Sequence, residues 1–337
     1  MKKTQRALLA VLAVAGTSAA IAQSSVTLYG RVNTTLEQQK SGGTKLTGLF
    51  NNSSRWGVRG TEDLGGGLKA GFQLESGFSS DTGVSDPVYF RRQSEVNVGG
   101  DLGLLRLGNF TAESYYATVD AVSMHNHDTG SSADVLYAYV MRDINKLSYR
   151  LPAFGDFTAE AAVSLSEKVP GTRNAFDLAL NYSGAPVGLG LGYSRNKGAT
   201  DMFGSYAGDA QQAALRASYA IGAFNLGAYY QYATLDHVNR GAQDAKRHAY
   251  RLAAMYTAGA SEFHANVGRA EKIKLGGSTL RGTAATQWTL GYNYNLSKRT
   301  KVYGYFTRID NNLRINYRGA TPGEDFRSVA VGVRHNF

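Results

Sequence analysis

The sequence predicts an all-β fold, a sixteen-stranded antiparallel transmembrane β-barrel with short periplasmic turns and long extracellular loops. Three observations carry this prediction: an export leader, stretches in which apolar and polar residues alternate, and connectors that alternate between short and long. The 337 residues contain no cysteine, which excludes disulfides, thiolate metal sites and a cysteine nucleophile. Apolar runs of about 20 residues do not recur along the chain, so a bundle of membrane-spanning helices is excluded as well.

The first residues have the three parts of a secretory signal peptide. Three cations precede a ten-residue apolar run, and an A-x-A cleavage motif ends at Ala22. We therefore expect residues 1–22 to be removed on export and residues 23–337 to form one transmembrane barrel domain. The whole chain has a net charge of +10, and removal of the three leader cations leaves +7.

Strand-like alternation is clearest between Leu68 and Phe78, where apolar side chains recur at even positions and Lys, Gln, Glu or Gly lie between them. The same period of two recurs at 26–33, 54–61 and 328–337. One face of each predicted strand is therefore apolar and the other is polar. A barrel of sixteen strands is too wide for side chains to fill, so we expect the polar face to line water and the apolar face to meet lipid.

The connectors between the predicted strands are of two kinds that alternate along the chain, as in an up-and-down barrel. Seven are short and mostly rich in glycine: 62–67, 99–103, 153–156, 184–186, 222–223, 258–260 and 297–299. Eight are longer and polar: 39–53, 79–88, 110–135, 167–174, 196–209, 236–246, 272–283 and 310–325. Fifteen connections join sixteen strands.

Aromatic residues near the predicted strand ends favour a membrane barrel over a soluble exported β protein, which is the alternative interpretation. A barrel in lipid carries such residues as girdles at both membrane interfaces. The candidates are Tyr29, Phe72, Phe78, Phe90, Tyr149, Phe157, Tyr182, Tyr193, Tyr219, Tyr256 and Phe337.

Four motifs, in this order, resemble the trimeric general porins of Gram-negative outer membranes, and most closely their β-proteobacterial branch. They are SSVTLYG at 24–30, SRWGVRGTEDLG at 54–65, LRLG at 105–108 and VGVRHNF at 331–337. The resemblance implies an outer-membrane homotrimer with sixteen strands, an inward-folded third loop and passive diffusion of ions and small hydrophilic solutes. It also implies that the barrel-assembly machinery recognises the terminal Phe337.

In that family the third long loop, here 110–135, narrows the barrel, and cations on the wall face carboxylates on the loop. Charges at such close quarters select ions. Alternation and the resemblance together suggest that the constriction and lumen include the wall residues Arg31, Arg55, Arg59, Glu75, Arg91, Arg106, Arg142, Lys146 and Arg334, and the loop residues Glu113, Asp120, Asp128 and Asp134. Any one of these arginines could instead pair with a lumen carboxylate such as Glu75 or Glu95. The excess of arginine predicts a moderate preference for anions.

Two positions depart from the family pattern and leave the charge set of the constriction open. Family members often carry an arginine near the position of Ser148 and an acid near that of Asn33. Cations such as Lys298, Arg299 and Lys301 could instead bind lipopolysaccharide phosphates at a rim.

Other functions receive weaker support from the sequence. The His125–Asp128 stretch is more typical of a solvated loop than of a metal site, and the glycines at 188, 190 and 192 lack the helix and distal acid of a dinucleotide site. We therefore expect no metal, no cofactor, no catalytic residue and no nucleic-acid partner. A substrate-specific channel for organic acids or sugars is the alternative, and a barrel enzyme is a more distant one.

Overall fold

The computed structural model describes residues 25–122, 132, 134–168, 170, 172–203, 206–238 and 243–337. The predicted signal peptide and the 125–128 stretch lie outside these residues. Within the described residues the strands are β1 Ser25–Ser41, β2 Thr44–Asn51, β3 Arg55–Gly65, β4 Leu68–Gly77, β5 Gln93–Gly100, β6 Gly103–Asn109, β7 Lys146–Arg150, β8 Phe157–Ser164, β9 Thr172–Tyr182, β10 Val187–Met202, β11 Tyr206–Ile221, β12 Phe224–Val238, β13 Gln243–Ala258, β14 Ser261–Ala270, β15 Lys274–Leu275, β16 Ser278–Thr279, β17 Ala285–Asn295, β18 Thr300–Asn311 and β19 Phe326–Asn336. Two short helices, α1 Glu113–Ala117 and α2 Val119–Val122, lie between β6 and β7.

These strands form one closed antiparallel barrel of sixteen wall strands, which confirms the predicted fold class. β2 and β3 make a single wall strand that pairs with successive parts of β1, and β15 and β16 form a small hairpin in a loop. β1 also pairs with β19, so no edge strand is left open. Gly30 and Phe337 exchange backbone hydrogen bonds of 3.0 and 3.1 Å at this closure. None of the described helices has the length and apolarity needed to cross a membrane.

The seven short turns lie at one end of the barrel, as predicted, but the loops at the other end differ from their expected bounds. The stretches 39–53, 196–209 and 236–246 are largely strand, because their backbones continue to hydrogen-bond in hairpins beyond the apolar part of the wall. Their polar side chains on both faces hid this continuation from a pattern based on alternation. The third loop is longer than predicted and runs from 110 to 145.

Side chains alternate between the two sides of the wall. Large apolar side chains such as Val26 and Leu252 point outward and are exposed, whereas polar side chains face the lumen. Outward aromatics near the short turns contact each other across strands, with ring centroids 4.8 Å apart for both Phe157–Tyr182 and Phe224–Tyr256, as expected of a girdle. The prediction for Tyr29 was wrong: it lies at an odd position of β1, faces the lumen, and its hydroxyl donates a 2.9 Å hydrogen bond to Glu75.

Candidate functional site

The third loop enters the barrel, and its helices rest on the inner wall between β9 and β13. The side chains of Ser114 and Ala117 on α1 are buried against the wall. Asp177, which faces inward from β9, accepts hydrogen bonds from the Ser114 hydroxyl, from the Ser114 amide at 3.2 Å and from the Ser194 hydroxyl at 2.6 Å. Because Asp177 holds two wall strands and the helix together, it fixes the position of α1 inside the lumen.

Glycine on β10 makes room for this helix. A Cβ atom at Gly190 would overlap the Ala117 carbonyl oxygen and lie 2.9 Å from its carbon, and one at Gly192 would lie 2.9 Å from the Ser114 Cβ. These inward glycines are therefore wall positions at which a side chain would collide with the loop. The structure supplies the reason, which is the close approach of the α1 backbone.

The returning arm of the loop is also fixed to the wall. The Ala138 backbone N–H and C=O form hydrogen bonds of 2.7 and 2.8 Å with the Gln231 amide side chain. Asp134, one of the predicted loop acids, forms a buried ion pair of 2.8 Å with Arg251 on β13. Arg247 donates to the Leu136 carbonyl at 3.0 Å. Asp134 therefore anchors the loop rather than presenting a free charge to the lumen.

Two predicted lumen cations hold the ends of the loop. The buried Lys146 ammonium donates to the Phe110 carbonyl at 2.7 Å and lies 3.2 Å from the Asp143 carboxylate. Arg142 lies in the loop rather than on a strand, and its guanidinium donates to the backbone carbonyls of Ser164 at 2.8 Å and Arg173 at 2.5 Å. These contacts fix where the loop leaves and rejoins the wall.

Five side chains of alternating charge form an ion-pair ladder from the wall to α1. Arg106 donates to both oxygens of Glu95, at 3.0 and 2.8 Å, and to Glu160 at 3.0 Å. Arg150 then joins Glu160 at 2.8 Å to Glu113 on α1 at 2.6 Å. Burial raises the pKa of the Glu113 carboxyl above its ordinary value, and the Arg150 cation opposes that shift. Arg106 and Glu113 are therefore brought together, and their charges are largely compensated.

A second group of charges lies on the inner faces of β1, β3 and β4. The Glu75 carboxylate accepts hydrogen bonds from Arg92 at 2.6 Å and from Tyr29 at 2.9 Å, and Arg55 lies 3.6 Å from it. Arg92 holds this carboxylate in place of the predicted Arg91, which is exposed in the loop before β5. Which of the two arginines faces the lumen depends on where β5 begins, and alternation alone does not determine that β5 begins at Gln93.

Further arginines continue this cationic wall. Arg59 is exposed in the lumen, with its guanidinium 5.2 Å from the centre of the Tyr29 ring. Arg31 donates to the Asn336 side chain at 3.1 Å, and Arg334 faces inward from β19 beside it. β10, on which α1 rests, is the ninth of sixteen wall strands counted from β1. The arginine-lined wall and the inserted helix therefore face each other across the lumen.

Tyr116 and Asp120 lie on the two helices of the inserted loop. Burial raises the pKa of Tyr116, the carboxylates of Asp120 and Glu75 add to the shift, and Arg92 opposes it. Tyr116 thus lies within electrostatic range of charges on both the loop and the wall. Asp128, the remaining loop acid of the prediction, lies outside the described residues.

Comparison with known proteins agrees with this architecture. The model of the Gram-negative porin family matches residues 7–313. The chain is 33% identical to outer membrane porin protein 32 of Delftia acidovorans, over 99% of this chain and 100% of the relative. It is 29% identical to an outer membrane porin protein of Bordetella pertussis, over 100% of both chains. A solved anion-selective porin from Comamonas acidovorans superposes with a TM-score of 0.78 at 30% identity, covering 94% of this chain and 100% of that one. The chain therefore belongs to the Gram-negative porin family and forms a channel in the bacterial outer membrane.

Proposed function

We propose that the channel is a homotrimer through which ions and small hydrophilic solutes diffuse passively, with a moderate preference for anions. One observation carries the preference: the wall that faces the inserted loop is lined by arginines, including the exposed Arg59. Fixed positive charge in a narrow aqueous passage raises the local concentration of anions and lowers that of cations. The net charge of +7 left after removal of the predicted leader has the same sign. The relative from Comamonas acidovorans is itself an anion-selective porin.

The reversal potential under a KCl gradient tests the preference. Wild-type channels are expected to favour chloride, and Arg59→Gln is expected to lower the chloride-to-potassium permeability ratio because it removes a charge from the passage. Arg269→Gln is the matched control, since Arg269 is exposed on the outer side of β14 and faces away from the lumen. A wild-type channel that favours potassium would overturn the proposal, as would equal effects of the two substitutions.

The outer wall supports the trimer through a thinning of its aromatic girdle. Outward aromatics near the short turns recur from Tyr149 on β7 to Tyr292 on β17, whereas Val302 on β18, Val333 on β19 and Leu28 on β1 are aliphatic and Phe337 is exposed at the closure of the barrel. A girdle is needed where a wall meets the membrane interface and not where it meets another protomer. We therefore assign the interface to the face around β1. Conductance that appears in steps of three, and a threefold protomer mass in detergent, are the expected results.

The cations that can bind lipid phosphates are those whose side chains point outward at the loop end of the barrel. Lys298 and Arg299 lie in the short turn before β18, and Lys301 faces inward 3.7 Å from Glu262, so these three do not meet the lipid phosphates at the loop end. Lys246 and Arg269 point outward at the loop end of β13 and β14. We infer that these two are among the cations available to lipopolysaccharide phosphates. Recognition of Phe337 by the barrel-assembly machinery remains part of the proposal.

A further inference from the structure

Four tyrosines from the two arms of the third loop form one cluster inside the lumen. Tyr115 and Tyr116 lie on α1, and Tyr137 and Tyr139 lie on the returning arm. The Tyr115 ring is central: its centroid lies 5.5 Å from that of Tyr116, 6.4 Å from that of Tyr137 and 5.8 Å from that of Tyr139. We call these four residues the tyrosine ledge.

The ledge faces away from the barrel wall. On α1, Ser114 and Ala117 are buried against β9 and β10, so Tyr115 and Tyr116 occupy the opposite side of the helix. The returning arm is extended, and its buried residues alternate with the tyrosines. Leu136, Ala138 and Val140 are almost fully buried. Each arm therefore turns one phenol ring, that of Tyr116 or Tyr139, towards the water-filled passage.

The exposure of two of these rings is not explained by packing of the loop. Val119 and Val122 already form the buried contact of the loop with Tyr229 on the wall, and Tyr115 and Tyr137 pack at its edge. Tyr116 and Tyr139, by contrast, are 45% and 38% exposed. Exposed aromatic surface in a concave aqueous site is typical of a place where a ligand stacks.

Positive charge lies within reach of the ledge. Glu75 on the facing wall is held by two arginines, Arg55 and Arg92, so this group carries a net positive charge. Tyr116 lies on α1, which rests on β10, the ninth of sixteen wall strands counted from β1, so the group and the ledge face each other across the same passage. A guanidinium binds a carboxylate through two parallel hydrogen bonds, and a phenol ring binds another ring face to edge.

We propose that the tyrosine ledge and the arginines that face it form a binding site for aromatic carboxylates in transit through the channel. The ring of the ligand lies against Tyr116 and Tyr139 while its carboxylate meets the guanidinium groups of the opposite wall. The inference rests on the proposed anion-preferring channel and names a solute class for its constriction. Aliphatic carboxylates lack the ring, and neutral sugars lack the charge, so both are expected to bind more weakly.

The test is block of the ion current through single channels in a planar bilayer, with benzoate as the probe. Cyclohexanecarboxylate is the matched probe, because it has the same charge and a similar size but no aromatic face. We expect benzoate to block at a concentration roughly three- to tenfold lower than cyclohexanecarboxylate does, the difference that one aromatic contact makes. Glucose is expected not to block at these concentrations.

Variants assign the effect to the ledge. Tyr116→Leu is expected to remove the advantage of benzoate, and Tyr116→Phe is expected to retain it because the ring remains. Tyr193→Leu is the control, since Tyr193 is a tyrosine on the outer face of β10. If Tyr116→Leu does not fold to a conducting channel, Tyr139→Leu replaces it, because Tyr139 contributes the other exposed ring.

Equal block by the two carboxylates would overturn the inference, as would an unchanged response of both leucine variants or block by glucose alone. The reversal potential of the same channels in KCl separates this failure from that of the proposed function. A chloride preference without selective block by benzoate removes the aromatic site and leaves the anion channel. A potassium preference removes the anion channel itself.

Discussion

Replacement of Arg106 by methionine should destabilise the barrel far more than it changes the ion preference. The Arg106 guanidinium is buried between Glu95 and Glu160, whose side chains are 4% and 3% exposed. Methionine fills a similar volume but leaves two carboxylates inside the lumen wall without the cation between them. The substitution therefore uncovers buried negative charge as well as removing a positive one.

Of the two carboxylates, Glu95 loses more of its stabilising contacts when Arg106 is replaced. Glu160 keeps Arg150, which donates to it at 2.8 Å, whereas Glu95 keeps hydrogen bonds from the neutral side chains of Gln93 at 2.7 Å and Asn97 at 2.9 Å. Removal of one partner from a buried ion pair costs about 3–5 kcal/mol. Because the remaining donors compensate part of this cost, we expect the lower end, about 3 kcal/mol.

Unfolding in urea, followed by the fluorescence of Trp56 and Trp288, measures the change in detergent solution. With a dependence of about 1–3 kcal/mol per molar urea, the midpoint should fall by about 1 M or more. Adding Glu95→Gln to the Arg106→Met variant should restore most of the loss, whereas adding Glu160→Gln should restore little. The chloride preference of Arg106→Met should fall less than that of Arg59→Gln.

Two results would refute this reasoning. An Arg106→Met protein as stable as the wild type would mean that water or a movement of the wall stabilises the buried negative charge of Glu95. Equal rescue by the two glutamine substitutions would mean that Arg150 does not hold Glu160 independently of Arg106.

Three further predictions concern the inserted loop. Gly190→Ala should lower single-channel conductance, because relief of the overlap between its Cβ and the Ala117 carbonyl pushes α1 about 1 Å into the lumen. Gly268→Ala, with no neighbour closer than 3.4 Å, should not. Chloride preference, measured as the reversal potential, should rise as pH falls from 7 towards 5. The pKa of Glu113 is raised, so Glu113 takes up a proton before exposed carboxylates do and leaves the charge of Arg150 less compensated. In Glu113→Gln the rise in chloride preference should be smaller. Lys146→Met should increase the noise of the open-channel current, because it releases the Phe110 carbonyl at the root of the loop.

The barrel could be predicted from the sequence because its signals are local. A period of two assigns each residue of a wall strand to one face, and it placed Arg55, Arg59 and Arg106 on the lumen side, where the structure has them. The prediction of strand ends was less accurate, because at the loop end of the barrel both faces of a strand are polar and the alternation disappears. The same limit led to the choice of Arg91 instead of Arg92, a difference of one residue in the approach to β5.

The contacts of the site could not be predicted in this way, because they join residues that lie far apart in the chain. The pairing of Arg106 with Glu160 depends on the register of three strands, and that of Asp134 with Arg251 depends on where the loop lands. One signal was present and was not used. The stretch from Leu136 to Val140 alternates aliphatic and tyrosine side chains, which indicates an extended arm with one buried face even within a loop.

The ion preference of this channel depends on which charges are paired rather than on how many there are. On the side of β5 to β8, Arg106 and Arg150 alternate with three carboxylates in one ladder, so that side presents no excess of positive charge to a passing ion. On the neighbouring wall of β3 and β4, Arg55 and Arg92 share the carboxylate of Glu75, and Arg59 lies exposed beside them. The field therefore points from the arginine wall towards the inserted loop, and an anion that carries an aromatic ring finds its two complementary surfaces on opposite sides of the same passage. Substitutions in the tyrosine ledge should therefore alter the selection of solutes with little effect on the ion preference, whereas substitutions in the arginine wall should alter both.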